Sequence, residues 1–265
     1  MDLFENRIVV KVGTSTLTNA AGQINLRSFD RIAYVLSDIQ NQGRQVILVS
    51  SGAIAIGANQ MRWQQVPREL QAKQAAAAVG QCRMMFLYDK FFAEYHQQIA
   101  QILLNAEDME QDEKKENLTN TFNALLNMGI IPIVNENDSV SYTEIESRER
   151  LFGDNDMLSA VVAVLCRSGK LVILSDIDGL YDKDPHLNID ARRIEKITKI
   201  DESVFALAGG AGSRRGTGGM RTKLQAAALA TANGIDTIVT NGKNPESLYD
   251  ILNYKPVGTL FAAQK

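Results

Sequence analysis

Short apolar runs rich in β-branched residues recur along this chain, and helical patterns separate them. Residues 7–13 (RIVVKVG), 44–50 (RQVILVS), 99–104 (IAQILL), 130–134 (IIPIV), 171–175 (LVILS) and 236–240 (DTIVT) read as strands. Phe29, Ile32, Ala33, Leu36 and Ile39 keep helical spacing, with Gly43 placed to end that helix. The Ala-rich span 68–97 reads as long helical stretches, with a break expected near Gly80. Residues 117–128, 156–167 and 223–233 read as helices, the first stopped by Gly129 and the last by Gly234. Apolar strands alternating with helices imply a mostly parallel sheet covered on both faces. Ligands of such sheets sit beyond the carboxyl ends of the strands.

Composition removes several classes of function. The chain has 265 residues, 45% of them hydrophobic and 22% charged, which suits a soluble protein with a substantial core. The net charge is −3 and no Lys/Arg block occurs, so a nucleic-acid partner is not expected. No apolar run approaches the roughly 18 residues of a membrane span. The N-terminus is acidic before its apolar run, unlike a signal peptide, so a cytoplasmic location and no membrane partner are expected. Cys82 and Cys166 read as reduced, buried residues without a disulfide framework. His96 and His186 stand apart, so a zinc site is not expected.

The segment 209–223 (GGAGSRRGTGGMRTK) carries the densest chemistry. Gly209, Gly210, Gly212, Gly216, Gly218 and Gly219 allow close backbone approach to a ligand, and Lys223 follows them. Backbone N–H groups of such a loop surround an anion, and the helix that follows favours negative charge at its start. A phosphate chain is the simplest ligand; a mobile surface loop is the plain alternative. The segment is no P-loop, since Lys223 stands between Thr222 and Leu224, and it lacks the dinucleotide fingerprint.

Other strand ends carry polar clusters. Lys11 lies inside an apolar strand, which is costly unless it reaches a partner or water, and Gly13, Thr14 and Ser15 follow. Ser50-Ser51-Gly52-Ala53 offers small residues and exposed N–H groups. Asn135-Glu136-Asn137-Asp138 joins amides to carboxylates, as an amino-acid ligand requires. Gly153-Asp154-Asn155-Asp156 opens a helix, and Asp156 is placed to hold lysines by charge. Asp176 and Asp178 suit a nucleotide or magnesium. An edge-strand lysine, tight packing, turns and a helix cap are the structural alternatives.

Taken in order, KVGTS at 11–15, SSGA at 50–53, NEND at 135–138, GDND at 153–156, SDIDGLYDKDP at 175–185 and GTGGMRTK at 216–223 resemble the amino acid kinase family. The closest likeness is to members that phosphorylate the γ-carboxylate of glutamate. The resemblance spans nearly the whole chain and implies a three-layer α/β/α sandwich with a central, mainly parallel sheet. It implies one kinase domain over 1–265, with 1–167 mainly binding glutamate and 168–265 mainly binding ATP. The implied partners are L-glutamate and MgATP, with Mg2+ held mainly by the ATP phosphates and no metal-ligand set on the protein. Proline as an end-product inhibitor and a homo-oligomer, dimer or tetramer, are implied as well; the apolar span 68–97 also suits such assembly.

Carried over by motif, Lys11, Lys223 and Asp156 are the catalytic candidates. Ser51, Gly52, Asn135, Asp138, Asp154 and Asn155 are the acceptor-site candidates. Lys11, Gly13, Ser175, Asp176, Thr217, Gly218, Gly219, Met220, Arg221, Thr222 and Lys223 are the ATP-site candidates. Many relatives carry an additional C-terminal module resembling an RNA-binding domain, and a chain ending at Lys265 is expected to lack it. The charged segment 139–152 borders the acceptor motifs and is expected to affect proline sensitivity. A kinase of acetylglutamate, aspartate, carbamate or UMP is the rival within the family. A non-catalytic nucleotide-binding regulatory or storage module and an NAD-dependent dehydrogenase are the rivals outside it.

Overall fold

All six residues of β1 (Arg7–Val12) are buried, because this strand lies inside an eight-stranded sheet. The structure is a computed structural model and describes residues 6–19, 22–140, 155–185, 187–208 and 219–264. The other strands are β2 (Gln45–Ser50), β3 (Ile99–Leu104), β4 (Ile131–Glu136), β5 (Lys170–Ser175), β6 (Lys196–Ile197), β7 (Asp236–Asn241) and β8 (Thr259–Phe261). Their order is β3-β4-β2-β1-β5-β7-β8-β6. Every pairing is parallel except β7 with β8. The strands that follow β1 build outward on one side of it, and β5 starts the other side. That split marks where ligands bind in open α/β sheets.

The helices are α1 (Thr14–Leu17), α2 (Leu26–Asn41), α3 (Ala53–Gln60), α4 (Leu70–Glu94), α5 (Asp112–Asn127), α6 (Asn155–Leu165), α7 (Glu202–Leu207), α8 (Met220–Ala232) and α9 (Ser247–Leu252). Alternating strand residues separate two cores. Ile8, Val10 and Val12 meet Phe29 of α2, Ile56 of α3, Tyr88 of α4 and Leu248 of α9. Val9, Ile47 and Ile173 meet Phe122 of α5, Leu158 of α6 and Leu224 of α8. This is the expected three-layer sandwich.

Gly43, Gly129 and Gly234 take positive φ just past α2, α5 and α8, as their places in the sequence suggest. Gly80 behaves differently. α4 runs unbroken through it, and a Cβ there would lie 1.8 Å from the Ala53 carbonyl oxygen. A Cβ on Gly57 would lie 1.8 Å from the Ala76 carbonyl oxygen. The glycine serves a backbone-to-backbone crossing of α3 and α4 instead of a break. Cys82 also departs from expectation. It is exposed, because it lies on the outward face of α4, while Cys166 is buried. The short elements β6, α7, α9 and β8 carry too few residues to show a period. No described helix is long and apolar enough to cross a membrane.

Candidate active site

Lys11 shares the face of Val9, two residues earlier, so its side chain enters the layer of α6 and α8. Asp156, the second residue of α6, meets it there, with Lys11 Nζ 2.7 Å from Asp156 Oδ1. Lys223 in the first turn of α8 places its Nζ 3.0 Å from Asp156 Oδ2. Thr222 Oγ1 donates to the same oxygen at 3.0 Å. Asp156 is fully buried, and the lysine side chains are 7% and 8% exposed. Burial by itself raises the Asp156 pKa, but Lys11 and Lys223 outweigh it and hold the carboxyl below its ordinary range. Two ammonium groups face one carboxylate, so the trio is net positive.

Glycines open the space around this trio. Gly13, Gly52 and Gly219 precede α1, α3 and α8 as N-caps, none with a side-chain cap. The first N–H groups of a helix lack intrahelical partners, which suits an anion. Gly52 has φ of 103°, a left-handed conformation that favours glycine. Gly13 has φ of −80°, which any residue adopts, so its value is space. A Cβ there would stand 3.7 Å from Lys11 Nζ.

Amides and carboxylates line the side of β2 and β4. Asn155 Nδ2 donates to the Ser50 carbonyl at 2.6 Å and to Asn135 Oδ1 at 2.7 Å. Asn135 is buried behind it. Ser50 turns inward, its hydroxyl 2.9 Å from Tyr88 Oη, while Ser51 and Gly52 are half-buried at the strand end. Burial, with the nearby Glu136 carboxylate, pushes the Asp138 carboxyl up to about 7. Both causes favour the neutral acid, and a cation placed beside it would favour the carboxylate again.

The ends of β5 and β7 form the other side. Ser175 Oγ donates to Asp176 Oδ1 at 3.1 Å, and Asp176 is exposed. Asn241 Nδ2 donates to Asp178 Oδ1 at 2.7 Å. Met220 packs on the second core, and Arg221 is exposed. Asp154, Thr217 and Gly218, with residues 141–152 and 209–216, lie outside the described residues. Two contacts had no signal in the sequence: Thr222 reaching Asp156, and Gln81 of α4 reaching Asn135, 54 residues away.

A sequence model of the amino acid kinase family matches residues 6–241. The chain belongs to this family. A protein of Clostridium perfringens named glutamate 5-kinase is 53% identical over 259 residues, 98% of this chain and 96% of the relative. One of the same name from Clostridium acetobutylicum is 50% identical over 256 residues, 97% and 94% of the two chains. Among solved structures, the product complex of T. acidophilum isopentenyl phosphate kinase superposes with a TM-score of 0.68 at 19% identity, covering 96% of this chain and 99% of that one. That likeness bears on the fold alone.

Replacing Asp156 strands two buried ammonium groups. Asp156→Asn is expected to lower stability by about 3–5 kcal/mol at neutral pH in urea unfolding. Because the carboxyl is held low, its contribution is present above about pH 4 and is lost as pH falls through its own lower pKa. The gap between wild type and variant should therefore persist at pH 5 and narrow only in stronger acid. Equal stabilities at pH 7 would contradict this role.

Proposed function

We propose that this chain transfers the γ-phosphoryl group of ATP to the γ-carboxylate of L-glutamate, giving L-glutamyl 5-phosphate and ADP, the first step from glutamate toward proline. One observation carries the reading: the Lys11–Asp156–Lys223 trio stands where the sheet divides, in a chain half identical to proteins named glutamate 5-kinase. A carboxylate oxygen attacks the γ-phosphorus, and the bond to the β,γ-bridging oxygen breaks as ADP leaves. The acceptor is already ionised at neutral pH, so the step needs no general base. The obstacle is repulsion between two anions, and phosphoryl transfer depends mainly on positioning and charge neutralisation. Lys11 and Lys223 supply that charge, and Asp156 orients them. The N–H groups beside Gly13 and Gly52 add donors.

Ser175, Asp176 and residues 217–223 hold ATP in this reading. Ser51, Gly52, Asp138 and Asn155 hold the acceptor, with Asn135 behind them and Asp154 nearby. Magnesium supplies charge neutralisation on the ATP phosphates when bound. Both Asp156 oxygens are occupied by lysines, so the phosphates fit the metal better than this carboxylate does. A homo-oligomer fits the exposed apolar stripe Ala75, Ala78, Val79, Cys82 and Phe86 on α4, where Phe86 is 55% exposed. Small residues at one end and Phe86 at the other suit an antiparallel pairing of two copies. Light scattering on Phe86→Glu is expected to show a smaller species; an unchanged mass would move the contact elsewhere.

ADP release and hydroxylamine trapping with MgATP, across glutamate, acetylglutamate, aspartate, carbamate and UMP, test the substrate. Glutamate is expected to give the hydroxamate, and turnover on another acceptor alone would refute the reading. The same panel with added proline tests end-product inhibition. Lys223→Ala is expected to lower kcat about 10²–10³-fold. Near-wild-type turnover would remove Lys223 from catalysis.

Asp138 gives a pH signature. Its ionised form pairs with the glutamate ammonium, and its pKa is raised to about 7. KM for glutamate is therefore expected to fall about tenfold as pH rises from about 6 to about 8. Asp138→Asn should show a high KM that no longer varies over this range. A flat profile in the wild type would place the ammonium elsewhere.

A further inference from the structure

One backbone carbonyl fixes the orientation of three side-chain amides beside the site. The Ser50 carbonyl oxygen only accepts, so the nitrogen of Asn155 must face it, at 2.6 Å. The same nitrogen lies 2.7 Å from Asn135, which therefore presents its oxygen. The nitrogen of Asn135 then points away and donates to Gln81 Oε1 at 2.9 Å. Reversing any one amide would set two donors or two acceptors against each other.

The fold secures the far end of this relay. Ile131 and Ile133 of β4 pack into the layer of α2 and α4, so Asn135 also faces α4. Gln81 follows Gly80, where α4 touches the Ala53 backbone at the start of α3. That crossing ties α4 to the turn following Ser50. Asn135 is 1% exposed, so loss of Gln81 would strand a buried donor. Gln81 Nε2 is itself shielded from water and has no hydrogen-bond partner among the described residues. An apolar residue would avoid that cost, so the contact through Oε1 is what the glutamine contributes.

We propose that Gln81 is a positioning residue for the acceptor. Through Asn135 it adds a second hold on the Asn155 nitrogen that the Ser50 carbonyl turns inward, and the Asn155 oxygen then stays turned toward a donor on the incoming molecule. The chemistry that suits an amide oxygen together with Asp138 is an ammonium group, so the relay favours an amine-bearing carboxylic acid. This rests on the acceptor site proposed above.

Steady-state kinetics on three variants test it. Gln81→Met has similar length but no acceptor, and is expected to raise KM for glutamate about tenfold. KM for ATP should stay near wild type, and the melting temperature should fall by no more than a few degrees, as one stranded donor implies. Gln81→Glu keeps an oxygen facing Asn135 and should restore KM toward the wild-type value. Combined with Asn135→Ala, Gln81→Met should add little, since both break one relay. The proposal is overturned by a glutamate KM within about twofold of wild type, by a Glu variant as impaired as the Met variant, or by full additivity. A parallel rise of both KM values with a larger fall in melting temperature would mark a merely structural role and overturn it too. A wild-type protein inactive on glutamate would sink the substrate reading instead, and the variants would then be compared on the acceptor that turns over.

Discussion

The carboxylate of Asp156 brings together three elements distant in sequence: β1 through Lys11, α6 through itself, and α8 through Lys223 and Thr222. None of these groups is stable in isolation at this depth. A lysine in the middle of a buried sheet is costly, and so is a fully buried carboxylate. Together they satisfy each other, and the excess positive charge stays near the strand ends. The pairing thus gives the chain a reason to keep ionised groups inside an otherwise apolar layer. It also fixes where the start of α8 sits relative to β1.

Glycine shapes the rest of the site in three distinct ways. Gly52 supplies a left-handed turn, Gly13 supplies room before the Lys11 ammonium, and Gly57 and Gly80 let two helices touch by their backbones. Only the first is a conformational demand. Gly57 and Gly80 concern what a methyl group would strike, while at Gly13 a Cβ would only fill the space 3.7 Å from the Lys11 ammonium. The α3–α4 crossing extends the effect outward, since Gln81 stands next to it and reaches Asn135. Precision in the amide relay therefore comes from a packing contact some distance from the charged trio.

Much of this was legible in the sequence. The six apolar runs became β1 to β5 and β7, with ends shifted by a residue or two. Positive-φ glycines ended three helices at the expected places. Lys11, Asp156 and Lys223 were recognisable as charged residues at strand and helix ends, and the order of motifs named their family. The rest was hidden for physical reasons. β8 and α9 are too short for a period to show, and β8 runs antiparallel to β7. Gly80 reads as a helix breaker to any local rule, because its partner Ala53 lies on another helix. Cys82 reads as buried by type, yet its place on the outward side of α4 exposes it.

By itself, the sequence determined the alternation of elements, the two faces of each strand, and the chemical groups gathered at strand ends. Each depends on local periodicity and side-chain type. Only the tertiary structure decided which groups meet. Lys223 and Asp156 are 67 residues apart, and Asn135 and Gln81 are 54 apart. No local pattern encodes such pairs, because they depend on the order of strands in the sheet and on how closely α4 approaches α3. The charge on Lys11 was visible in one dimension; its partner was set by the layer that strand alternation turned it to face.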